Sequence, residues 1–198
     1  MSVAVVRLGV GNTASVMFAL DRLGAKARLT DDPGEIAEAE RVILPGVGAA
    51  AFAMRRLREI GLGDVLARFS RPLLGICLGQ QLLFERSEEG GAATLGILKG
   101  AVTKLDAASG LPTPHMGWSK LCDVAGHPLL EGVRDGDYCY FVHSYVCPLT
   151  DDTLAVADYG VRFAAIVGRG NVFGCQFHPE RSGETGRRIL SNFLALPC

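Results

Sequence analysis

The sequence predicts an α/β fold with an open, mostly parallel sheet, helices on both faces and an antiparallel extension. In the first half, short apolar runs alternate with segments of helical spacing, which is typical of a parallel sheet covered on both faces. In the second half, strand-like runs follow one another closely with turn residues between them, which favours antiparallel hairpins added to that sheet. With 198 residues and no internal repeat, the chain is expected to form one domain, residues 1–198.

The individual elements follow from these patterns. Strands are predicted in the first half at residues 3–8, 26–30, 41–44 and 71–76. Helices are predicted at residues 13–23, from Asp31-Asp32-Pro33 onward, at 49–60 and from Gln80 onward. In the second half, strands are predicted at residues 102–105, 138–146, 153–159, 163–167 and 172–177, and a last helix at 185–196. Sheets of this kind bind ligands at the carboxyl ends of their strands.

Composition narrows the class of function. The 20 basic and 21 acidic residues give a net charge of −1, without the basic bias that nucleic-acid-binding proteins usually show. No uninterrupted apolar stretch is long enough to span a bilayer. Residues 1–20 lack a basic leader followed by a long apolar stretch, and residues 1–6 are better interpreted as a first strand than as a signal peptide. The six cysteines have neither a Cys-x-x-Cys pair nor zinc spacing. We therefore expect a cytoplasmic protein with free thiols, no membrane segment, no metal and no cofactor.

A sharp turn around Cys77 is the strongest chemical signal. Cys77 lies between a predicted strand and a predicted helix, in Gly-x-Cys-x-Gly, and Gly75 and Gly79 remove side chains that would collide at such a turn. The thiol would leave the sheet and face the positive end of a helix, which favours the thiolate. The N–H of Leu78 would then point at an oxyanion formed there. The alternative is that Cys77 is a small buried hydrophobe.

His178-Pro179-Glu180 supplies a candidate base and a carboxylate to orient it. Pro179 biases His178 toward extended backbone, so the side chains at 178 and 180 should project to one side. Glu180 could hold one ring nitrogen while the other exchanges a proton with sulfur. Taken alone, His-x-Glu also occurs as a surface ion pair, and the turn at Cys77 is what gives it weight. His127, beside Pro128 in a polar turn, is predicted to be solvated.

Together, Gly75-Ile76-Cys77-Leu78-Gly79-Gln80-Gln81 and His178-Pro179-Glu180 resemble the motifs of the class I (triad) glutamine amidotransferases. The resemblance spans most of the chain and implies a flavodoxin-like sheet and hydrolysis of L-glutamine through a cysteinyl thioester. It is closer still to the glutaminase subunits that form a heterodimer with a cyclase subunit of (β/α)₈ type in histidine biosynthesis. That narrower likeness rests on the segments Gly9-Val10-Gly11-Asn12, Pro45-Gly46-Val47-Gly48, His115-Met116-Gly117-Trp118 and Tyr140-Phe141-Val142-His143-Ser144-Tyr145.

The resemblance implies a role for each matching residue. It makes Cys77 the nucleophile, His178 the general base and acid, and Glu180 its orienter. The oxyanion would be bound by the N–H groups of Val47 and Leu78. Glutamine would be held by Gly46, Gln81, His143, Ser144 and Tyr145. The partner interface would include Asn12, Met116 and Trp118.

Some of these roles compete with simpler ones. The Pro-Gly-x-Gly loop, with two glycines free to adopt positive φ, is hypothesised to switch on partner binding, or it is an ordinary strand-to-helix turn. His143, Ser144 and Tyr145 could merely satisfy backbone groups, and Trp118 could equally fill the core. Related sequences typically carry Asp-Tyr at positions 7 and 8 and Asn at 119, where this chain has Arg7, Leu8 and Ser119. These departures leave the triad intact and bear on coupling to the partner.

Two other functions remain open at this point. The chain could be the glutaminase partner of another synthase, such as those making pyridoxal phosphate or anthranilate. It could also be a non-catalytic module of the same architecture that senses oxidants through a Cys77 thiolate. Met116-Gly117-Trp118 and His143-Ser144-Tyr145 argue against the first rival, and His178 with Glu180 argues against the second.

Overall fold

The computed structural model describes residues 2–9, 13–105 and 110–198. Its strands are β1 Ser2–Val6, β2 Lys26–Thr30, β3 Arg41–Gly46, β4 Leu73–Cys77, β5 Arg86–Ser87, β6 Ala92–Ala93, β7 Ala101–Lys104, β8 His115–Lys120, β9 Tyr138–His143, β10 Tyr145–Val146, β11 Thr153–Asp158, β12 Arg162–Arg169 and β13 Val172–Cys175. Its α-helices are α1 Thr13–Arg22, α2 Pro33–Glu38, α3 Ala50–Glu59, α4 Leu62–Ala67, α5 Leu78–Leu82 and α6 Gly183–Ala195. Short 3₁₀ helices are Glu89–Gly91, Pro128–Leu130 and Pro179–Arg181.

The main sheet has the predicted mixed architecture. Its strand order is β11-β12-β13-β4-β3-β1-β2. The strands β2, β1, β3, β4 and β13 run parallel, whereas β12 pairs antiparallel with both β13 and β11. The open, mostly parallel sheet with an antiparallel extension is therefore confirmed.

Helices cover both faces of this sheet, as the period-2 alternation of the strands requires. In β1, Val3 and Val5 point into one apolar cluster, which also contains the buried residues of α1 and α6. Ala4 and Val6 point into the opposite cluster, built with α2, α3, α4 and α5. In the part of the chain that the structure describes, no helix is long and apolar enough to cross a membrane.

Several local details differ from the prediction. The strands at 102–105 and 138–146 do not join the main sheet: β7 and β10 form a small sheet with β5 and β6, and β9 pairs with β8 alone. The run 138–146 is also interrupted at Ser144. β8 and the short helix α4 were not predicted, because neither has an apolar pattern long enough to identify it. The helix predicted from residue 80 onward is α5, a single short turn that starts at Leu78.

Candidate active site

Cys77 occupies a strained turn at the carboxyl end of the central strand β4. Its backbone has φ 54° and ψ −108°, a positive φ that non-glycine residues adopt rarely, and α5 begins at the next residue. Such a conformation costs about 1–3 kcal/mol and persists only where the surroundings enforce it. The turn directs Cys77 into a cavity at the carboxyl ends of the parallel strands.

The two flanking glycines leave space that no other residue would. A Cβ atom on Gly79 would lie 1.8 Å from the carbonyl oxygen of Leu44 in the neighbouring strand β3. A Cβ atom on Gly75 would lie 2.5 Å from the carbonyl oxygen of Gly79. Both obstacles are backbone atoms, which cannot rotate away as a side chain could. The strand-to-helix turn therefore requires glycine at both positions.

His178 and Glu180 form a tight pair next to Cys77. His178 has φ −98° and ψ 97°, the extended conformation expected before a proline, and its Nδ1 lies 2.9 Å from Oε1 of Glu180. Burial disfavours the charged ring, but hydrogen bonds and charges from Cys77 and Glu180 outweigh it and raise the pKa of His178 to about 10. Because Glu180 occupies Nδ1, Nε2 is the nitrogen left to exchange a proton with the thiol.

The Glu180 side chain is 2% exposed, so the carboxylate acts on the ring from a dry environment. Its second oxygen, Oε2, is buried and has no hydrogen-bond partner among the described residues. An ionised carboxylate held by a single neighbour interacts strongly with that neighbour, since little else competes for its charge. This arrangement favours a positively charged His178.

Cys77 and His178 open onto a cavity of about 420 Å³. Most of the predicted site residues line it together. Its walls are formed by Val47, Gly48, Ala49, Cys77, Leu78, Gln81, Glu89, Pro114, Val142, His143, Ser144, Tyr145 and His178. Gly46, predicted to contact glutamine, is not among them. It ends β3 directly opposite Cys77, and a Cβ there would press on the Leu78 side chain at 3.1 Å.

The register of the sheet brings the two candidate oxyanion donors side by side. Gly46 on β3 pairs with Cys77 on β4, so Val47 and Leu78 are the next residues beyond the ends of two adjacent parallel strands. Gly48 has φ 91°, a backbone conformation that glycine adopts at little cost. The loop that carries Val47 can therefore present its amides beside the nucleophile.

The carbonyl oxygen of Tyr145 ties together two side chains that were predicted to hold glutamine. It accepts hydrogen bonds from Nε2 of Gln81 at 3.0 Å and from the Nδ1 of His143 at 2.9 Å. Because a carbonyl can only accept, the proton of His143 must be on Nδ1. Nε2 of His143 is then the acceptor for Nδ1 of His115, 3.1 Å away.

His115 and His143 form a buried neutral pair, of which His143 lines the cavity. Burial lowers the pKa of His115 to about 4 and that of His143 to about 3, so neither ring is charged near neutral pH. The His115 ring is stacked against Tyr159 at a centroid distance of 3.9 Å, and its Nε2 lies 2.9 Å from the hydroxyl of Ser119. Ser119, one of the departures from related sequences, thus belongs to a hydrogen-bonded chain that reaches His143, which is predicted to contact glutamine.

Two of the predicted interface residues, Met116 and Trp118, lie on β8 of the two-stranded sheet β8-β9. Met116 is 63% exposed and Trp118 is 54% exposed, so Trp118 does not fill the core. Trp118 is paired with Tyr140 of β9, and their rings are 5.8 Å apart at a steep angle. Asn12 lies outside the described residues. We call the exposed face of Met116, Trp118 and Tyr140 the β8-β9 ribbon face.

The sequence did not identify three residues that shape the site. Glu89 reaches the cavity through the 3₁₀ helix Glu89–Gly91 and accepts a hydrogen bond from the N–H of Ala50 at the start of α3. Pro114 closes another part of the wall. Gln176 lies beneath the nucleophile, where its Nε2 is 3.8 Å from the sulfur of Cys77. Of these three residues, only Gln176 could have been suspected from the sequence, because it lies two residues before His178.

Residues 9–196 match the family described as glutamine amidotransferase class-I, and the chain belongs to that family. Over 98% of its length it is 51% identical to the imidazole glycerol phosphate synthase subunit HisH of Xanthomonas axonopodis pv. citri (strain 306), of which it covers 97%. It is 52% identical, with the same coverage, to the subunit of the same name from Xylella fastidiosa (strain Temecula1).

Solved structures support the fold. A crystal structure described as a glutamine amidotransferase superposes with a TM-score of 0.75 at 23% identity, with 98% of this chain and 97% of that chain covered. The glutaminase domain of Trypanosoma brucei CTPS gives a TM-score of 0.63 at 14% identity, with 100% and 95% covered. At these identities the likeness concerns the fold alone, which is the class I amidotransferase fold expected from the motifs.

Proposed function

We propose that this chain is the glutaminase subunit of imidazole glycerol phosphate synthase, an enzyme of histidine biosynthesis. It hydrolyses L-glutamine to glutamate and ammonia and supplies the ammonia to a cyclase subunit, which makes imidazole glycerol phosphate and aminoimidazole carboxamide ribotide. The observation that carries the proposal is the cavity in which Cys77 meets the His178–Glu180 pair, on a chain about half identical to relatives of that name. That identity favours this synthase over those making pyridoxal phosphate or anthranilate.

The chemistry begins with sulfur as the nucleophile. The Cys77 thiolate attacks the side-chain amide carbon of glutamine, and the C=O electrons move to oxygen to give a tetrahedral oxyanion. The imidazolium of His178 gives its Nε2 proton to the amide nitrogen, the C–N bond breaks, and ammonia leaves with a thioester in place. Water, deprotonated by His178, then attacks the thioester carbon, and the C–S bond breaks to give glutamate and the thiolate.

Electrostatics of the resting site suit this order of events. With its pKa raised to about 10, His178 is protonated throughout the neutral range and holds the proton that ammonia needs on leaving. Glu180 keeps the ring oriented through Nδ1 during both steps. A thiol-sensing module would have no use for a buried carboxylate that does only this.

The surrounding groups supply binding and oxyanion stabilisation. We assign the N–H groups of Val47 and Leu78 to the oxyanion, because both residues follow paired strand ends and line the cavity. We assign Gln81, His143, Ser144 and Tyr145 to the amino-acid end of glutamine, because all four line the cavity beside Cys77. Gly46 does not line the cavity and is assigned to positioning the loop that follows it.

A direct test compares glutamate release by the purified protein with and without the cyclase. We expect glutamine-dependent glutamate release in the complex, with ammonia consumed in the cyclase reaction. Absence of glutamate release in both states would contradict the proposal and is the result that a thiol-sensing module should give. A protein activated instead by the synthase that makes pyridoxal phosphate or anthranilate would be the glutaminase of that pathway.

We propose that the cyclase docks on the β8-β9 ribbon face, in a cytoplasmic heterodimer with this chain as a single domain. Two large apolar side chains, Met116 and Trp118, stand exposed there, and Val142 of the same ribbon lines the cavity. Exposed aromatic and methionine side chains are the kind of anchor that protein interfaces use. The free state of all six cysteines agrees with a reducing compartment.

Trp118→Ala is expected to weaken the complex with the cyclase by roughly 30-fold or more, since truncation of a hot-spot residue costs about 2 kcal/mol or more and tryptophan is enriched among hot spots. Titration calorimetry measures the effect. Leu149→Ala, which removes an exposed apolar side chain outside the ribbon, is the matched control and should bind like the unmodified protein. Equal affinities for the two variants would place the docking surface elsewhere.

A further inference from the structure

Gln176 is a fully buried amide with three neighbours, all of them in or next to the active site. It lies between the end of β13 and His178 and has no exposed surface. Its Oε1 is 3.1 Å from Nε2 of Gln81 and 3.7 Å from the sulfur of Cys147. Its Nε2 is 3.8 Å from the sulfur of Cys77, within the range of an N–H···S hydrogen bond.

The orientation of this amide follows from one backbone acceptor. The carbonyl of Tyr145 can only accept, so the atom of Gln81 that faces it must be the nitrogen. The same nitrogen faces Gln176, so the atom of Gln176 nearest to it must be the oxygen. The remaining amide group of Gln176, its NH₂, therefore faces Cys77, and the reversed orientation would oppose two donors.

The sulfur of Cys77 has contrasting polar neighbours. The carbonyl of Val142 lies 3.7 Å away and can accept a hydrogen bond only from a protonated thiol. His178 and Gln176 can instead donate to an ionised sulfur. Formation of the thiolate removes the bond to Val142 and leaves a carbonyl dipole facing a negative charge. A second donor that points at the sulfur offsets that loss.

The other ionisable groups near the Cys77 sulfur are uncharged near neutral pH, so His178 is its charged neighbour. Burial raises the pKa of Cys147 to about 12 and raises that of Cys175 well above its usual range, so both thiols stay neutral during turnover. His178, with Glu180 behind it, is the charged partner of the sulfur. His143 contributes no charge because burial keeps its ring neutral near pH 7.

We propose that Gln176 is a catalytic residue of this site, whose side-chain amide donates a hydrogen bond to the Cys77 thiolate and stabilises it between turnovers and on release of the thioester. The inference rests on the proposed glutaminase function. A row of hydrogen-bonded side-chain amides runs from the carbonyl of Tyr145 through Gln81 and Gln176 to the sulfur. It connects the nucleophile to two residues that we assign to glutamine binding.

Replacing Gln176 with methionine removes the donor and keeps the approximate shape of the side chain. In the complex with the cyclase, the pH dependence of iodoacetamide alkylation is followed on the peptide that carries Cys77. For Gln176→Met, we expect the midpoint, which is the pH at which the alkylation rate of Cys77 reaches half of its first plateau, to rise by about one unit, since a hydrogen bond to the thiolate is lost. We expect kcat for glutamate release to fall roughly tenfold, because the lost bond acts on the reacting sulfur. Methionine also removes the acceptor for Nε2 of Gln81, so we expect KM for glutamine to rise as well.

Gln80→Met is the matched control. Gln80 is equally buried and donates to the carbonyl of Ala164 at 2.9 Å, away from the sulfur, so the same chemical change should leave the Cys77 midpoint in place. Gln176→Asn, which keeps an amide but withdraws it from the sulfur, should shift the midpoint in the same direction as Gln176→Met. An unmoved midpoint in the Gln176 variants, or an equal shift in Gln80→Met, overturns the proposal.

The hydrogen bond can also be tested in the unmodified protein by nuclear magnetic resonance. In the unmodified protein, the side-chain N–H resonances of Gln176 should shift with the same midpoint as alkylation, and constant resonances would contradict the hydrogen bond without any variant. Alkylation does not require glutamine turnover. If the unmodified complex released no glutamate while the Gln176 variants still moved the midpoint, the glutaminase function would fail and the assignment of the donor would stand.

Discussion

Cys77→Ala should abolish glutamine-dependent glutamate release in the complex with the cyclase, with a loss of at least about 10³-fold, because no other nucleophile can form the thioester. The other cysteines do not line the cavity. His178 alone could assist attack by water, but water at an amide carbon lacks both the nucleophilicity of sulfur and its fixed position. Release of glutamate is measured by coupled oxidation of the product.

Two controls separate chemistry from assembly in this experiment. The cyclase reaction supported by added ammonium salt should be unchanged in Cys77→Ala, since that route bypasses the glutaminase. Cys122→Ala removes a thiol that bonds to the carbonyl of Val156 far along the sheet, and it should retain full glutaminase activity. Residual glutamate release by Cys77→Ala within about tenfold of the unmodified protein would show that the nucleophile has been assigned wrongly.

Gly79→Ala should destabilise the fold by at least about 3 kcal/mol, which corresponds to a Tm lower by on the order of 10 °C for a chain of this size. The added Cβ would sit 1.8 Å from the carbonyl oxygen of Leu44, in the centre of the parallel sheet. Relief requires β3 and α5 to separate, and this disturbs the apolar packing and the turn that carries Cys77. Thermal unfolding followed by circular dichroism measures the loss.

The matched control for Gly79→Ala is Gly63→Ala. Gly63 lies within helix α4, where a Cβ would meet nothing within 4 Å, so alanine should be neutral or stabilise the protein by about 0.5–1 kcal/mol. The two substitutions are chemically identical and differ only in the space available. Similar Tm values for both would show that the contact with Leu44 relaxes at little cost.

The individual strands and turns of this fold could be predicted because each depends on the residues of one short segment of sequence. The strand at 26–30 matches β2 residue for residue, and the parallel direction of β1, β2, β3 and β4 follows from their alternation with helices. The glycines around Cys77 and the proline after His178 encode backbone conformation directly, so the turn and the extended histidine could be expected before any tertiary contact was known.

What escaped prediction depends on contacts distant in sequence. Gln176 and Cys77 are separated by 99 residues, and only the parallel pairing of β13 with β4 brings them together. Glu89 reaches the cavity because two small strands and a 3₁₀ helix fold across α3, and no periodic pattern announces elements of two or three residues. The exposure of Met116 and Trp118 likewise reflects a ribbon that stands apart from the main sheet.

The carbonyl of Tyr145 orients the side-chain amides of Gln81 and Gln176 and the rings of His143 and His115. Because this carbonyl belongs to the main chain, no side-chain substitution at position 145 removes it. Its direction is set by the pairing of Tyr145 with Lys104 in the small sheet. Side-chain substitutions can remove individual members of these networks, but the acceptor they share changes only when the strands that hold this peptide move. Replacing the peptide bond between Tyr145 and Val146 with an ester would weaken the carbonyl of Tyr145 as an acceptor while leaving every side chain unchanged. The hydrogen bonds that orient the two buried histidine rings and the amides leading to Cys77 should then weaken together.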